Sequence, residues 1–180
     1  MKAEPLNRSN VFLIGYRCTG KSTTGKLLAS RLDRSFADTD SLLVAEKQTS
    51  IKEIVERWGW ETFRRFEHEI VKRVCDRNHQ VVATGGGVVL SDDNVKLMKE
   101  SGKLIWLRAT AETISRRMAQ DVGTEAFRPA LTEKDSIAEV EETLLERESC
   151  YQRAMDFSVD TDNRQIEEVC DAVIRHLLSI

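Results

Sequence analysis

Residues 15–22 read Gly15-Tyr16-Arg17-Cys18-Thr19-Gly20-Lys21-Ser22, directly after the apolar run Val11-Phe12-Leu13-Ile14 and directly before a helical pattern. In such a turn the glycines let main-chain N–H groups close around phosphate oxygens, the lysine supplies a point charge for the outer phosphates, and the serine hydroxyl can ligate Mg²⁺. A strand that feeds a helix through this loop is the first unit of a wound parallel sheet. The ligand class is therefore a nucleotide, with contacts to it expected from Gly15, Cys18, Thr19, Gly20, Lys21, Ser22 and Thr23.

The rest of the chain agrees with that unit. Short β-like runs at residues 11–14, 35–37, 81–83, 104–107 and 157–159 alternate with longer helical patterns, which predicts an α/β fold with a parallel sheet and helices on both faces. Ligands of such sheets gather outside the carboxyl ends of the strands, so residues just after a strand are the first candidates for a site. The helix that begins near Lys21 carries Leu27, Leu28 and Leu32, and a second, from about Trp60, carries Phe63, Phe66, Ile70 and Val74 at helical spacing. A third is expected over residues 135–153. Residues 119–132 are polar and aperiodic and contain Gly123 and Pro129, which predicts a flexible lid.

A length of 180 residues suits one substantial core, so a single domain over 1–180 is expected. The 27 basic and 30 acidic residues leave a net charge of −3, which argues against an extended nucleic-acid groove. No apolar stretch approaches the roughly 20 residues that span a bilayer, and the first residues lack a secretory apolar segment, so a cytoplasmic location without membrane attachment is expected. Cys18, Cys75, Cys150 and Cys170 show no metal-ligand or paired spacing and are expected as reduced thiols. His68, His79 and His176 form no triad or ligand spacing, and Trp58, Trp60 and Trp106 are expected in the core or a pocket wall.

Three groups of residues can carry chemistry. After the second strand comes Phe36-Ala37-Asp38-Thr39-Asp40; if extended geometry persists, Asp38 and Asp40 face the same side, and Mg²⁺ near one with a substrate hydroxyl on the other would satisfy both. The alternative is that Asp40 caps the helix starting at Ser41. After the third strand, Thr84-Gly85-Gly86-Gly87 is either a loose turn or a place where main chain approaches a ligand closely. The third group is basic. Arg64 reads either as a site residue or as half of a surface ion pair with Glu67. Arg147 interrupts the apolar stripe Ile137, Val140, Leu144, Tyr151, so its guanidinium must meet an anion. Arg117 and Arg128 bracket the lid and read either as surface charge or as cations over a nucleotide.

The phosphate loop, FADTD, GWETFRRFE, the glycine triplet after a strand, and Arg128-Pro129 in the lid occur here in one order and spacing that resembles shikimate kinase, over essentially the whole chain from about Val11. The resemblance implies a three-layer sandwich like the nucleoside-monophosphate kinases, around a five-stranded parallel sheet. It also implies transfer of the ATP γ-phosphate to the 3-hydroxyl of shikimate, on the route to chorismate and the aromatic amino acids, by an enzyme acting as a monomer on small molecules. By position, Lys21 would hold the outer phosphates, and Ser22 and Asp38 would serve Mg²⁺. Asp40 would receive the reacting hydroxyl, and Arg64 with Arg147 would grip the shikimate carboxylate. Glu67 would orient the pocket, Gly86 and Gly87 would bring main chain to the substrate, Arg128 would reach the phosphates, and Arg117 and Arg164 would lie on the adenine side. A gluconate-kinase-like enzyme or a non-catalytic nucleotide-binding module would share the loop but has no need of the arginine pair together with DTD and GGG. Cys18 departs from the family pattern, which commonly has a third glycine there.

Overall fold

The computed structural model describes residues 9–120 and 137–179. Five strands, β1 (Asn10–Ile14), β2 (Ser35–Asp38), β3 (Gln80–Ala83), β4 (Gly102–Arg108) and β5 (Phe157–Asp160), form one sheet in the order β2-β3-β1-β4-β5. Every pairing is parallel: Val11 lies opposite Val81, Phe12 opposite Leu104, Phe36 opposite Val81, and Leu107 opposite Val159. The expected strands are all present, each extended by a residue or more at one or both ends.

Alternation along the strands sends side chains to two separate cores. Val11, Leu13, Ile105 and Leu107 face helices α1 (Lys21–Arg31) and α7 (Ile166–Leu178), where they meet Leu28 and Val173. Phe12, Ile14, Leu104 and Trp106 face the opposite layer and pack with Val71 of α3 (Ile51–Cys75), Met98 of α4 (Asp92–Ser101) and Tyr151 of α6 (Ile137–Ala154). Both faces of the central strands β1, β3 and β4 are thus buried, as a parallel sheet between two helical layers requires, while the edge strands β2 and β5 are partly exposed. The remaining helices are α2 (Thr39–Lys47) and α5 (Ala111–Gln120). On α6, Val140 and Tyr151 are buried as the stripe predicts, but Ile137 at its start is exposed. Trp106 is buried in this core, whereas Trp58 is exposed and outside the core.

Two breaks in regular structure position the site. The chain order reverses at β1, which has β3 on one side and β4 on the other, so the crevice opens above its carboxyl end. The second break is inside α3, where Gly59 (φ 78°, ψ 170°) leaves helical geometry and divides the element into two helical pieces. Only glycine adopts that conformation without strain. Ser50 starts the first piece with a capping box: its Oγ accepts from the Glu53 N–H, and the Glu53 carboxylate accepts from the Ser50 N–H.

Candidate active site

The phosphate loop leaves β1 at Gly15 and enters α1 through Gly20, both with positive φ. Lys21 is buried, and its ammonium donates to the carbonyls of Gly15 (2.8 Å) and Tyr16 (2.6 Å), which holds it over the loop's own turn. Thr19 Oγ1 donates to the Tyr16 carbonyl at 2.8 Å, while Thr23 points outward from the first turn of α1. Cys18 adopts φ 60°, the left-handed conformation for which a glycine would be the unstrained choice. Its carbonyl accepts from Arg117 Nη1 at 3.2 Å, and the same guanidinium reaches Thr161 just after β5, at Oγ1 (3.0 Å) and O (2.8 Å). Arg117 therefore ties the phosphate loop to the far edge of the sheet. Arg164 is exposed in the turn that follows. Arg128 and nearly all of the expected lid lie outside the described residues.

Asp38 and Asp40 do not share a strand face. Strand β2 ends at Asp38 and helix α2 begins at Thr39, so the extended geometry on which that expectation depended stops between them. The cap is Asp38: one carboxylate oxygen accepts from the Ser41 N–H at 3.1 Å, and the other accepts from Ser22 Oγ at 2.6 Å. Asp40, in the first turn of α2, is not the cap and faces a different cavity. The two aspartates are thereby divided between the phosphate loop and a separate cavity. Ser22 and Asp38 together offer hard oxygen donors beside the phosphate loop, the chemistry that suits Mg²⁺. Among the described residues no cluster of three His, Cys, Asp or Glu gathers, so a Mg²⁺ ion here would depend on water and phosphate oxygens for its other ligands.

The acceptor cavity lies between the loops after β1 and β3, the start of α2, both pieces of α3, and α6. It brings together Asp40, Arg64, Glu67, Gly86, Gly87 and Arg147, every acceptor residue expected from the sequence. The glycines after β3 form a turn, and charged side chains crowd against it. A Cβ on Gly87 would overlap the Arg64 guanidinium, and one on Gly85 would stand 2.8 Å from both Asp40 Oδ1 and Glu67 Oε1. Asp40 and Glu67 therefore flank the same main-chain segment. Tyr151 Oη donates to the Gly86 carbonyl at 2.5 Å, and its ring stacks on Trp106 with centroids 5.2 Å apart, which fixes the glycine loop against α6 and β4. Burial pushes the Tyr151 phenol up, so it remains a donor.

Arg64 and Glu67 do form an ion pair, at 2.6 Å, but it is not the surface pair that spacing alone allows, because the Glu67 side chain is only 2% exposed. The Arg64 guanidinium also lies over the rings of Phe63 (5.1 Å) and Trp60 (5.6 Å). Burial pushes the Glu67 carboxyl above the usual carboxylate range; the charge and hydrogen bond of Arg64 oppose the shift, the charge of Asp40 adds to it, and Arg147 opposes it. Glu67 Oε1 is buried without a hydrogen-bond partner among the described residues. Arg147 projects from α6 into the cavity with its guanidinium 5.8 Å from the Tyr16 ring. The cavity thus combines convergent arginines, a buried carboxylate with one unused acceptor oxygen, and Asp40 near the phosphate loop. That set fits a small polar molecule bearing an anionic group and hydroxyls.

Sequence reasoning did not find Arg17, Tyr16, Ile51 or Tyr151 as part of this site. Tyr16 and Arg17 stand at unspecified positions of the loop motif, Tyr151 read only as a member of an apolar stripe, and Ile51 was assigned to no element.

Comparison with known proteins places this geometry in a family. A sequence model of the family described as shikimate kinase matches residues 17–178. The chain is 37% identical to the shikimate kinase of Thermodesulfovibrio yellowstonii, over 92% of this chain and 93% of that protein. It is 40% identical to shikimate kinase 2 of Yersinia enterocolitica, over 94% and 95% of the respective lengths. Among solved structures, shikimate kinase from Acinetobacter baumannii in complex with shikimate superposes with a TM-score of 0.89 at 26% identity, covering 95% of this chain and 93% of that one.

Proposed function

The chain belongs to the shikimate kinase family, and from that premise we propose that it transfers the γ-phosphate of ATP to the 3-hydroxyl of shikimate, giving shikimate 3-phosphate and ADP. The observation that carries this reading is the acceptor cavity, where Asp40 stands beside the phosphate loop and Arg64 and Arg147 converge. A carboxylate held by two guanidinium groups, with a hydroxyl directed at Asp40, engages Arg64, Arg147 and Asp40 together. Arginine suits the carboxylate because its planar fork donates two parallel hydrogen bonds.

Lys21 and the loop N–H groups bind the outer phosphates, and Arg117 and Arg164 lie on the nucleotide's adenine side. Ser22 and Asp38 would hold Mg²⁺, which when bound neutralises phosphate charge. The Asp40 carboxylate accepts the hydrogen bond of the attacking hydroxyl and takes its proton. A bond then forms from that oxygen to the γ-phosphorus, and the bond to the bridging oxygen breaks with its electron pair retained by ADP. Glu67 keeps Arg64 aligned and offers Oε1 to a second hydroxyl, and Gly86 and Gly87 let the ring approach the main chain. Arg128 is assigned to the phosphates by family likeness alone. None of the described helices is long and apolar enough to cross a membrane, and the reading is of a single-domain enzyme that acts as a monomer in the cytoplasm.

A coupled assay of ADP release with shikimate, gluconate or no acceptor tests the reading. Turnover is expected with shikimate only. Equal turnover with gluconate, turnover without acceptor, or no turnover at all would count against it.

A further inference from the structure

The phosphate loop carries a second cationic side chain, two residues after Gly15. Arg17 lines the acceptor cavity together with Asp40 and Gly86. Its guanidinium lies 5.9 Å from the ring of Tyr16, the ring that also receives Arg147 at 5.8 Å. Its main-chain nitrogen faces the glycine loop, where a Cβ on Gly86 would stand 3.3 Å away. The residue before it, Tyr16, supplies one of the carbonyls that hold the Lys21 ammonium. Arg17 therefore stands at the seam of the site, with its main chain in the phosphate loop against the glycine loop and its guanidinium near the Tyr16 ring, at the wall of a cavity that Tyr16 and Arg147 also line.

The other two arginines of the cavity are anchored differently. Arg64 is held by Glu67 and by the aromatic faces of α3, and Arg147 comes from α6; neither has main chain near the donor phosphates. A phosphoryl group that moves from above Lys21 to a hydroxyl at Asp40 must cross the seam, and among the described arginines of the cavity Arg17 is the one anchored there. Resting on the kinase reading above, we infer that Arg17 is a further catalytic residue, whose guanidinium contacts the equatorial oxygens of the phosphoryl group during transfer. Arg17 exchanges no proton. The bond from phosphorus to the bridging oxygen breaks toward ADP, the bond to the acceptor oxygen forms, the hydroxyl proton goes to Asp40, and Arg17 supplies positive charge where negative charge spreads over the moving group. Such a contact is stronger in the transition state than in either ground state, so its loss lowers kcat rather than binding.

The test is steady-state kinetics of Arg17→Ala and Arg17→Gln beside the wild type, with thermal melts as a check on folding and titration of ADP–aluminium fluoride in the presence of shikimate and Mg²⁺. Expected are a fall in kcat of about 10²- to 10³-fold, KM values for both substrates within about threefold, and weaker binding of ADP–aluminium fluoride with ADP alone unaffected. A raised KM for shikimate at intact kcat would make Arg17 a third carboxylate ligand and overturn the inference, as would unchanged kinetics. If the alanine variant melts, the glutamine variant decides, because it keeps part of the stem and a polar end while removing the charged guanidinium; wild-type affinity for ADP–aluminium fluoride there overturns the inference. A wild type without shikimate-dependent ADP release would overturn the kinase reading, and the inference with it.

Discussion

Arg147 is the residue whose chemistry is most constrained by its place. It is half-buried on a helix face otherwise given to Val140 and Tyr151, and its guanidinium lines the cavity, where an anion would pair with it. Lysine preserves the charge but loses the paired hydrogen bonds, so Arg147→Lys should raise KM for shikimate on the order of tenfold to a hundredfold and leave KM for ATP within about threefold. Equal effects on both substrates would contradict the assignment. Cys18 poses the opposite problem, since its backbone conformation suits a different residue. A left-handed L-residue costs roughly 1–2 kcal/mol, from which the greater flexibility of glycine in the unfolded chain must be subtracted. Cys18→Gly should therefore stabilise the protein by up to about 1 kcal/mol, read as a melting temperature higher by about 2–4 °C. A lower melting temperature would show that the thiol makes a compensating contact. The family resemblance located this position, but the sequence could not show the sign of φ there.

At the scale of elements, the break in α3 matters most. Its first piece brings Ile51 to the cavity and its second brings Trp60, Phe63, Arg64 and Glu67, so the angle between them sets the cavity's width. Among the described residues nothing lies within 4 Å of a Cβ built on Gly59, so an alanine there meets no obstacle from them and suffers the backbone penalty, of order 1–3 kcal/mol. Gly59→Ala should lower the melting temperature by several degrees and raise KM for shikimate more than KM for ATP, because the phosphate loop is a separate element. A variant that keeps wild-type KM values would show that the angle is set elsewhere. The helical pattern from about Trp60 was legible in the sequence, and Ile51 to Trp58 was not assigned because the glycine interrupts the period. Likewise the pair Asp38 and Asp40 was legible as chemistry, but its geometry was not. A helix that starts at Thr39 turns the second carboxylate away from the first.

For the whole molecule, the site is a place where folding and function oppose each other. Burial raises the Glu67 carboxyl above its ordinary value of 4.5, so the folded chain holds that proton more tightly than the unfolded chain does. Between 4.5 and the native pKa the native state binds more protons, and stability from this group falls as pH rises across that window. Glu67→Gln removes the charge while keeping the shape. Melts from pH 4 to 8 should show the variant gaining on the wild type through the window and holding a constant advantage above it, while its turnover of shikimate falls. A margin that shrinks as pH rises would mean that Arg64 outweighs burial. What the sequence by itself determined was local: the donor loop, the alternation of strands and helices, and the residue types at strand ends, because motif spacing and periodicity act over a few neighbours. The tertiary structure alone decided which of these meet. It put Arg17 in the acceptor cavity, divided Asp38 from Asp40, and withdrew Glu67 from water, since each of those outcomes depends on packing between elements that are remote in the chain.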